Sequence, residues 1–163
     1  MTNTLHNALG FAEADLVANR ALTLSEAQRA RLKGKQTRTV LIGGAVAYAL
    51  ALVATAFLFF GQREGNFVLS VVGGVVVLCN AGVVGMFARE WLRLRADLQA
   101  GGVQVAQGTL ERVVRAYGRA NNFVLRVGGQ SFTVPKEAFN AFTHQAPYRL
   151  YYTAHARILL SAE

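Results

Sequence analysis

Residues 67–88 read FVLSVVGGVVVLCNAGVVGMFA, which is 22 residues without an acidic or basic side chain. At about 1.5 Å per residue, a helix of this length spans about 33 Å, close to the roughly 30 Å hydrocarbon core of a bilayer. Valine and glycine are poor helix formers in water, but in lipid the cost of an unpaired backbone enforces a helix. This stretch therefore predicts a transmembrane helix.

A second uncharged run, VLIGGAVAYALALVATAFLFF, covers residues 40–60 and is 21 residues long. It is also long enough to cross a bilayer. Only GQREGN, residues 61–66, separates the two runs, which predicts a tight antiparallel hairpin of transmembrane helices. The first run follows 39 residues that include acidic side chains, and it is longer than the apolar core of a signal peptide. We therefore interpret it as a retained span.

Basic residues are concentrated at one end of the predicted hairpin. Five lie within residues 29–39, just before the first span, and three lie within residues 89–100, just after the second. The loop between the spans has only Arg63, beside Glu64. The positive-inside rule then predicts that both termini are cytoplasmic, and the small, compact layout favours a bacterial inner (plasma) membrane. The expected membrane-interface anchors, which would face anionic lipid headgroups, are Arg29, Arg31, Lys33, Lys35, Arg38, Arg89, Trp91, Arg93 and Arg95.

Small residues recur in both predicted spans. In lipid, apolar helices associate through close approach at small residues and through polar hydrogen bonds. Asn80, slightly past the middle of the second run, is expected to bond Tyr48, Thr55 or another Asn80. The alternative is that Asn80 faces a pore. The predicted helix-packing residues are Gly43, Ala47, Ser70, Gly74, Asn80, Ala81, Gly82 and Gly85.

Residues 1–39 predict a cytoplasmic amino-terminal segment with short amphipathic helices. Thr23 and Glu26 have the spacing of a helix capping box. Ser25 and Gln28 have the same spacing, so two starting points for a helix remain open. This helix either continues into the first span or breaks at Gly34.

The second transmembrane helix is expected to continue past the bilayer to about residue 100. Trp91, Leu94 and Leu98 recur at helical spacing after the apolar run ends, so the extension keeps an apolar stripe. Gly101 and Gly102 then form a suitable stop.

Residues 101–163 change to a strand pattern and predict a cytoplasmic β-domain. Residues 103–118 predict one long strand with a bulge near Gly108. Residues 122–127 and 130–134 predict a hairpin, and a short helix and two more strands follow. The whole chain is therefore expected to be an α+β membrane protein. A two-helix transmembrane hairpin precedes a small five-stranded barrel-like domain, OB-like or SH3-like, with one short helix.

Motifs for catalysis or cofactor binding are missing from the sequence. There is no Walker loop, no GxGxxG after a strand, no HExxH and no CxxC. His6, His144 and His155 have no ligand-like spacing, and the single cysteine, Cys79, lies within an apolar run. We therefore expect no catalytic residues, no cofactor and no metal, and a protein that is not an enzyme.

The net charge of +8, from 17 basic and 9 acidic residues, suits an anionic membrane surface or nucleic acid. The leading hypothesis is a non-enzymatic two-pass membrane protein that presents its β-domain as a docking or regulatory module, in a homo-oligomer or a larger membrane complex. One alternative is a subunit of an oligomeric channel or transporter.

The other alternative is membrane-tethered nucleic-acid binding through stacked aromatic side chains. We favour it less, because strand aromatics usually fill the core of a small domain. The aromatics concerned are Tyr117, Phe123, Phe132, Tyr148, Tyr151 and Tyr152, with Arg119, Arg126, Arg149 and Arg157 among them.

Overall fold

The computed structural model describes residues 2–117 and 120–163 and has an α+β architecture with two long apolar helices and two small sheets. The helices are α1 (Thr2–Leu9), α2 (Glu13–Arg20), α3 (Glu26–Arg63), α4 (Phe67–Ala100) and α5 (Lys136–Ala141). The strands are β1 (Val103–Thr109), β2 (Glu111–Tyr117), β3 (Ala120–Val127), β4 (Gln130–Val134), β5 (Pro147–Thr153) and β6 (Leu159–Ala162).

The chain divides into two compact units. The hairpin unit comprises Leu32–Arg95, and the globular unit comprises Met1–Arg31 together with Ala96–Glu163. The sequence-based division, by contrast, treated residues 1–39 as a segment separate from residues 101–163.

A capping box at Ser25 starts α3. The Gln28 backbone N–H donates to Ser25 Oγ at 3.1 Å, and the Ser25 N–H donates to Gln28 Oε1 at 3.2 Å. These two hydrogen bonds satisfy backbone N–H groups that have no carbonyl partner at the start of the helix. The helix then continues through Gly34 without a break and includes the whole uncharged run 40–60.

Asn66 caps the start of α4, and a glycine ends the helix. Asn66 Oδ1 accepts the backbone N–H groups of Val68 and Leu69 at 3.1 and 3.3 Å. The helix ends at Ala100, because Gly101 has a φ of +61° and its N–H turns back to the Asp97 carbonyl at 3.0 Å. A left-handed residue of this kind is a common helix terminator, and glycine adopts it without steric cost.

The prediction of one long strand over 103–118 was wrong, because the chain leaves the ladder at Leu110. The Leu110 side chain is fully buried, its N–H donates to the Ala146 carbonyl at 2.9 Å, and its carbonyl accepts the Gln145 N–H at 2.8 Å. The two halves on either side therefore pair with different strands. The described part of the chain has six strands where five were predicted, and Gly118 lies outside that part.

The strands form two separate antiparallel sheets, with orders β1-β5-β6 and β2-β3-β4. No ladder joins the two sheets within the described residues, so the predicted OB-like or SH3-like closed barrel is not found. The core contains side chains from both sheets and from α5, including Leu125, Phe132, Phe142 and Leu150. The two small sheets are therefore held together by this shared core and not by hydrogen bonds that close a barrel.

The predicted bulge near Gly108 is absent, since β1 pairs in regular register from Val103 to Thr109. The irregularity lies instead between Tyr151 and Tyr152 on β5, where β5 pairs with β6. At Gly128, in the turn between β3 and β4, only glycine fits. Its φ is +54°, and a Cβ there would lie 2.9 Å from the Gln107 carbonyl oxygen. The two sheets approach each other closely at this turn.

The amino-terminal helices belong to the globular unit because their apolar side chains are buried there. Leu5 is part of the main core, and α1 packs against α5 and β6. Asn19 of α2 donates from Nδ2 to Ser161 Oγ on β6 at 2.6 Å and is fully buried. These contacts cover apolar and polar groups of the sheets that would otherwise face water.

Candidate functional site

The contact face of the hairpin depends on glycines that allow the helices to touch. A Cβ placed on Gly43 of α3 would lie 2.7 Å from Phe87 Cγ and 3.0 Å from Phe87 Cβ. A Cβ on Gly61 would lie 2.7 Å from the backbone nitrogen of Ser70. Neither position has room for a side chain, so the antiparallel pairing of α3 with α4 is set by these contacts.

The structure brings only some of the predicted packing residues to this face. Gly43 and Ser70 lie at helix contacts, and Ala47 lines a groove beside Gly43. Gly73, which was not among the predicted packing residues, also lies at this contact, since a Cβ on it would lie 2.7 Å from Leu58 Cγ. Ala81 is exposed, and three predicted glycines are open to their surroundings. On Gly74, Gly82 and Gly85, a Cβ would meet no packing neighbour within 4 Å among the described residues.

Asn80 has an unsatisfied amide oxygen in the contact region of the hairpin. Its Oδ1 is buried and has no hydrogen-bond partner in the part of the chain that the structure describes. The expected partner Thr55 donates instead to the Ala51 carbonyl at 2.8 Å, and Tyr48 is 68% exposed. Neither expected partner within the chain is therefore used.

Six of the predicted membrane anchors form an exposed basic collar on the hairpin unit: Lys33, Lys35, Arg38, Arg89, Arg93 and Arg95. Lys35 Nζ lies 4.0 Å from Glu90 Oε1. The guanidinium of Arg95 lies 5.2 Å from the ring centroid of Trp91, within the range of a cation–π interaction. The collar is therefore only partly neutralised by the chain itself.

The other two basic residues among the predicted anchors, Arg29 and Arg31, lie in the globular unit. Arg31 donates from Nη1 to the Gly10 carbonyl. Arg29 Nη2 lies 2.8 Å from where a Cβ on Gly101 would be. The Arg31 side chain therefore bonds to the loop after α1, and the Arg29 side chain lies beside the Gly101 turn that ends α4.

A carboxylate on the β5–β6 sheet is held by three donors. Glu163 accepts from Arg20, from the Tyr151 hydroxyl at 2.7 Å, and lies 3.6 Å from Arg149 Nη1. The hydrogen bond from Arg20 lowers the pKa of Glu163, and Tyr151 and Arg149 add to this shift. Burial is the main cause that raises the pKa of Tyr151, and its bond to Glu163 acts in the same direction.

The Glu163 cluster makes the stability of the globular unit depend on pH. Because the pKa of Glu163 is lower in the folded state than its ordinary value of 4.5, its contribution is present above pH 4.5. It is lost as the pH falls through the folded-state pKa. We expect Glu163→Gln to destabilise the unit at pH 7 and to approach wild type in acid. Unfolding of both proteins, measured from pH 7 to 3, checks this; a constant difference between them would contradict it.

Asp97, which the sequence analysis missed, fastens the turn between β5 and β6. Its carboxylate oxygens accept the backbone N–H groups of His155 at 2.8 Å and Ala156 at 2.7 Å, and the side chain is 1% exposed. Charge-assisted bonds of this kind are about twice as strong as neutral ones. Asp97 is thus a structural residue, and no spacing in the sequence connects it to residues nearly 60 positions later.

The aromatic side chains considered for nucleic-acid stacking lie largely in the core. Phe132 and Tyr152 are buried with ring centroids 4.9 Å apart. Tyr151 is also buried, while Phe123 and Tyr148 are partly buried against the core. Arg119 and the side chain of Tyr117 lie outside the described residues. Filling the core therefore accounts for the aromatic residues whose side chains are described.

Within the described residues, no group of three or more His, Cys, Asp or Glu side chains could hold a metal ion. The chain matches no known family model, and comparison with curated proteins and with solved structures gives no significant match. The features that remain for a functional argument are the exposed apolar helices, the basic collar and the strand edges of the globular unit.

Proposed function

We propose that the chain is a two-span membrane protein in which α3 and α4 cross the bilayer as a hairpin. The observation that carries the proposal is the exposure of the most apolar 18-residue window of each helix. Mean hydropathy in these windows is 2.2 in α3 and 2.4 in α4, yet only 11% and 6% of their residues are buried. A core helix of a soluble protein would have the same hydropathy but would be mostly buried.

The energetic cost of leaving this surface in water supports the same proposal. A large apolar side chain left in water forgoes about 1.5–3 kcal/mol relative to burial. In the hairpin unit, the exposed fraction reaches 79% at Phe67 and 74% at Leu78, and many valines are 38–67% exposed. Both helices are apolar around their circumference, and hydrocarbon covers such a surface on all sides.

We further propose that both chain termini are cytoplasmic and that the membrane is a bacterial inner membrane. Eight basic residues flank the outer ends of the two apolar runs, against one in the loop between them. This asymmetry supports the orientation through the positive-inside rule. The side chain of Trp91, half-buried beside the collar, fits an interfacial aromatic residue.

The orientation can be tested with single cysteines in a Cys79→Ala background. A membrane-impermeant maleimide added to intact cells is expected to label Gln62→Cys, at the end of α3 next to the loop. It is expected to label Ser131→Cys in the globular unit only after the cells are permeabilised. Labelling of both positions in intact cells would contradict the orientation, and release of the protein from membranes by alkaline carbonate would contradict insertion.

For the globular unit we propose a non-enzymatic role as a docking or regulatory module. The unit has its own core, and β2 is the outer strand of the order β2-β3-β4 among the described residues. On this edge strand Val114 is 52% exposed. At one end of this edge the Arg112 N–H already donates to His144 Nδ1 at 3.1 Å. The stretch of the edge around Val114, with its exposed apolar side chain, can accept an added strand from a partner.

A photo-crosslinking residue at Val114 tests the docking role. A discrete crosslinked product is expected from Val114 and not from Lys136, which is exposed on α5. Hydrogen exchange of the β2 amides is then expected to slow in the purified complex. Equal products from both positions, or unchanged exchange in β2, would contradict docking at this edge.

Asn80 supports a second candidate function, an oligomeric assembly of hairpins such as a channel or transporter subunit. Its Oδ1 is buried and has no partner in the described part of the chain. A change of the Asn80 side-chain rotamer followed by a bond to Asn80 of a second copy is one way to satisfy such a group in lipid. We expect Asn80→Leu to weaken self-association about three- to twentyfold, on the basis of about 0.6–1.7 kcal/mol per interhelical bond. Crosslinking at several protein-to-lipid ratios measures this, with Leu78→Val as the control. Unchanged self-association would contradict the role of Asn80.

A further inference from the structure

An open apolar groove runs along the hairpin at the end nearest the basic collar. Its volume is about 280 Å³, and it is lined by Gly43, Gly44 and Ala47 of α3 and by Val84, Ala88 and Trp91 of α4. The groove exists because small residues on α3 face larger ones on α4. Phe87 occupies the space where a side chain of Gly43 would stand. On the adjacent Gly44, by contrast, a Cβ would meet no packing neighbour within 4 Å among the described residues. The groove is therefore a lateral opening beside a tight helix contact.

A cation lies at the edge of this apolar groove. Trp91 lines the groove, and the guanidinium of Arg95, one helical turn further on, is held 5.2 Å from the centre of its ring. Arg95 is exposed and has no carboxylate within 4.0 Å in the described part of the chain. Glu90, the nearby acidic residue of α4, lies instead beside Lys35. An apolar slot with an uncompensated cation at its end is complementary to an amphiphilic anion.

We propose that this groove binds an anionic phospholipid of the surrounding membrane, with one acyl chain along Gly43, Gly44 and Ala47 and its phosphate at Arg95. The volume lies just below the roughly 300–1,000 Å³ of typical small-molecule clefts, a size for part of one acyl chain. Arginine pairs with phosphate oxygens through two parallel N–H donors. The inference rests on the proposed membrane insertion and identifies the lipid class that the basic collar selects.

Trp91 gives a direct readout of this site, because it is the single tryptophan of the chain. The full-length protein is reconstituted into phosphatidylcholine vesicles that contain phosphatidylglycerol. In matched samples one lipid or the other carries bromine near the glycerol end of its acyl chains. Bromine quenches tryptophan fluorescence on contact. From the quenching at equal mole fraction, we expect the protein to bind phosphatidylglycerol about fivefold more tightly than phosphatidylcholine. One basic residue near an anionic lipid provides a preference of about this size.

Two pairs of variants locate the bound lipid. Gly44→Leu fills the groove and is expected to abolish the preference, whereas Gly74→Leu, in equally open space on the other helix, is expected to retain it. Arg95→Gln, which removes the cation held over the Trp91 ring, is expected to reduce the preference to near onefold. Arg93→Gln removes a neighbouring exposed cation of the collar that takes no part in the Trp91–Arg95 contact, and it is expected to retain the preference. Retention of the preference in Gly44→Leu and in Arg95→Gln would overturn the proposal.

The wild-type result separates failure of this inference from failure of membrane insertion. Equal quenching by both brominated lipids would overturn the anionic-lipid site and leave insertion standing. Quenching by neither lipid would overturn insertion and the site with it. Quenching that rises as the protein is diluted in lipid would show that a second copy of the hairpin covers the groove, and would overturn lipid as its occupant.

Discussion

Replacing Asp97 with alanine is expected to lower the free energy of unfolding of the globular unit by about 3–6 kcal/mol. The buried carboxylate accepts two backbone N–H groups from the turn between β5 and β6. Each hydrogen bond to a charged group contributes about 1.5–3 kcal/mol, and buried donors left without an acceptor carry a desolvation cost. The loss is expected to appear first at the turn that Asp97 fastens.

Hydrogen exchange of the full chain measures this effect region by region. Amides of residues 153–162 are expected to exchange faster in Asp97→Ala than in wild type. Gln99→Ala is the matched control, because Gln99 is exposed on the same stretch of α4 and is expected to change stability by less than about 0.5 kcal/mol. Equal protection of the β5–β6 region in wild type and Asp97→Ala would show that the turn does not depend on the carboxylate.

Gly43→Leu is expected to separate α3 from α4 at the end of the hairpin near the basic collar. The new side chain would collide with the Cβ and Cγ atoms of Phe87, which lie too close to the backbone to move far. Overpacking of this kind costs about 1–3 kcal/mol. Crosslinking between cysteines at Ala47 and Val84, which line the same groove, is expected to fall.

Gly74→Leu is the control for this experiment, since it adds the same side chain to a helical glycine with open space around it. Its crosslinking yield is expected to match that of the parent cysteine pair. If Gly43→Leu and Gly74→Leu gave the same yield, the contact between Gly43 and Phe87 would not hold the helices together.

The two long helices could be predicted from the sequence because their signal is local. A run of uncharged residues bounded by basic residues needs no knowledge of distant contacts. The spacing of three predicted a capping box at either Thr23 or Ser25, and the structure has the one at Ser25. Which residues of each helix face the other helix could not be predicted. Gly73 and Gly74 are adjacent, and only the pairing with Leu58 distinguishes the buried glycine from the open one.

The β-domain was harder to predict because its decisive contacts are long-range. Leu110 reads as one more apolar residue of a continuous strand, but its backbone pairs with Gln145 and Ala146. Because of that pairing, the predicted strand becomes two strands, β1 and β2, which belong to different sheets. For this reason, the predicted barrel is not formed. The amino-terminal helices were likewise assigned to a separate segment, because nothing local connects Asn19 with Ser161.

A nitroxide spin label on the native Cys79 tests most directly whether lipid surrounds the hairpin. Cys79 is the only cysteine, it lies near the middle of the second apolar run, and it is exposed. In vesicles, membrane insertion predicts frequent collisions of the label with oxygen, which concentrates in hydrocarbon, and few with a water-soluble nickel complex. Frequent collisions with the nickel complex would place Cys79 in water and contradict a lipid-covered hairpin.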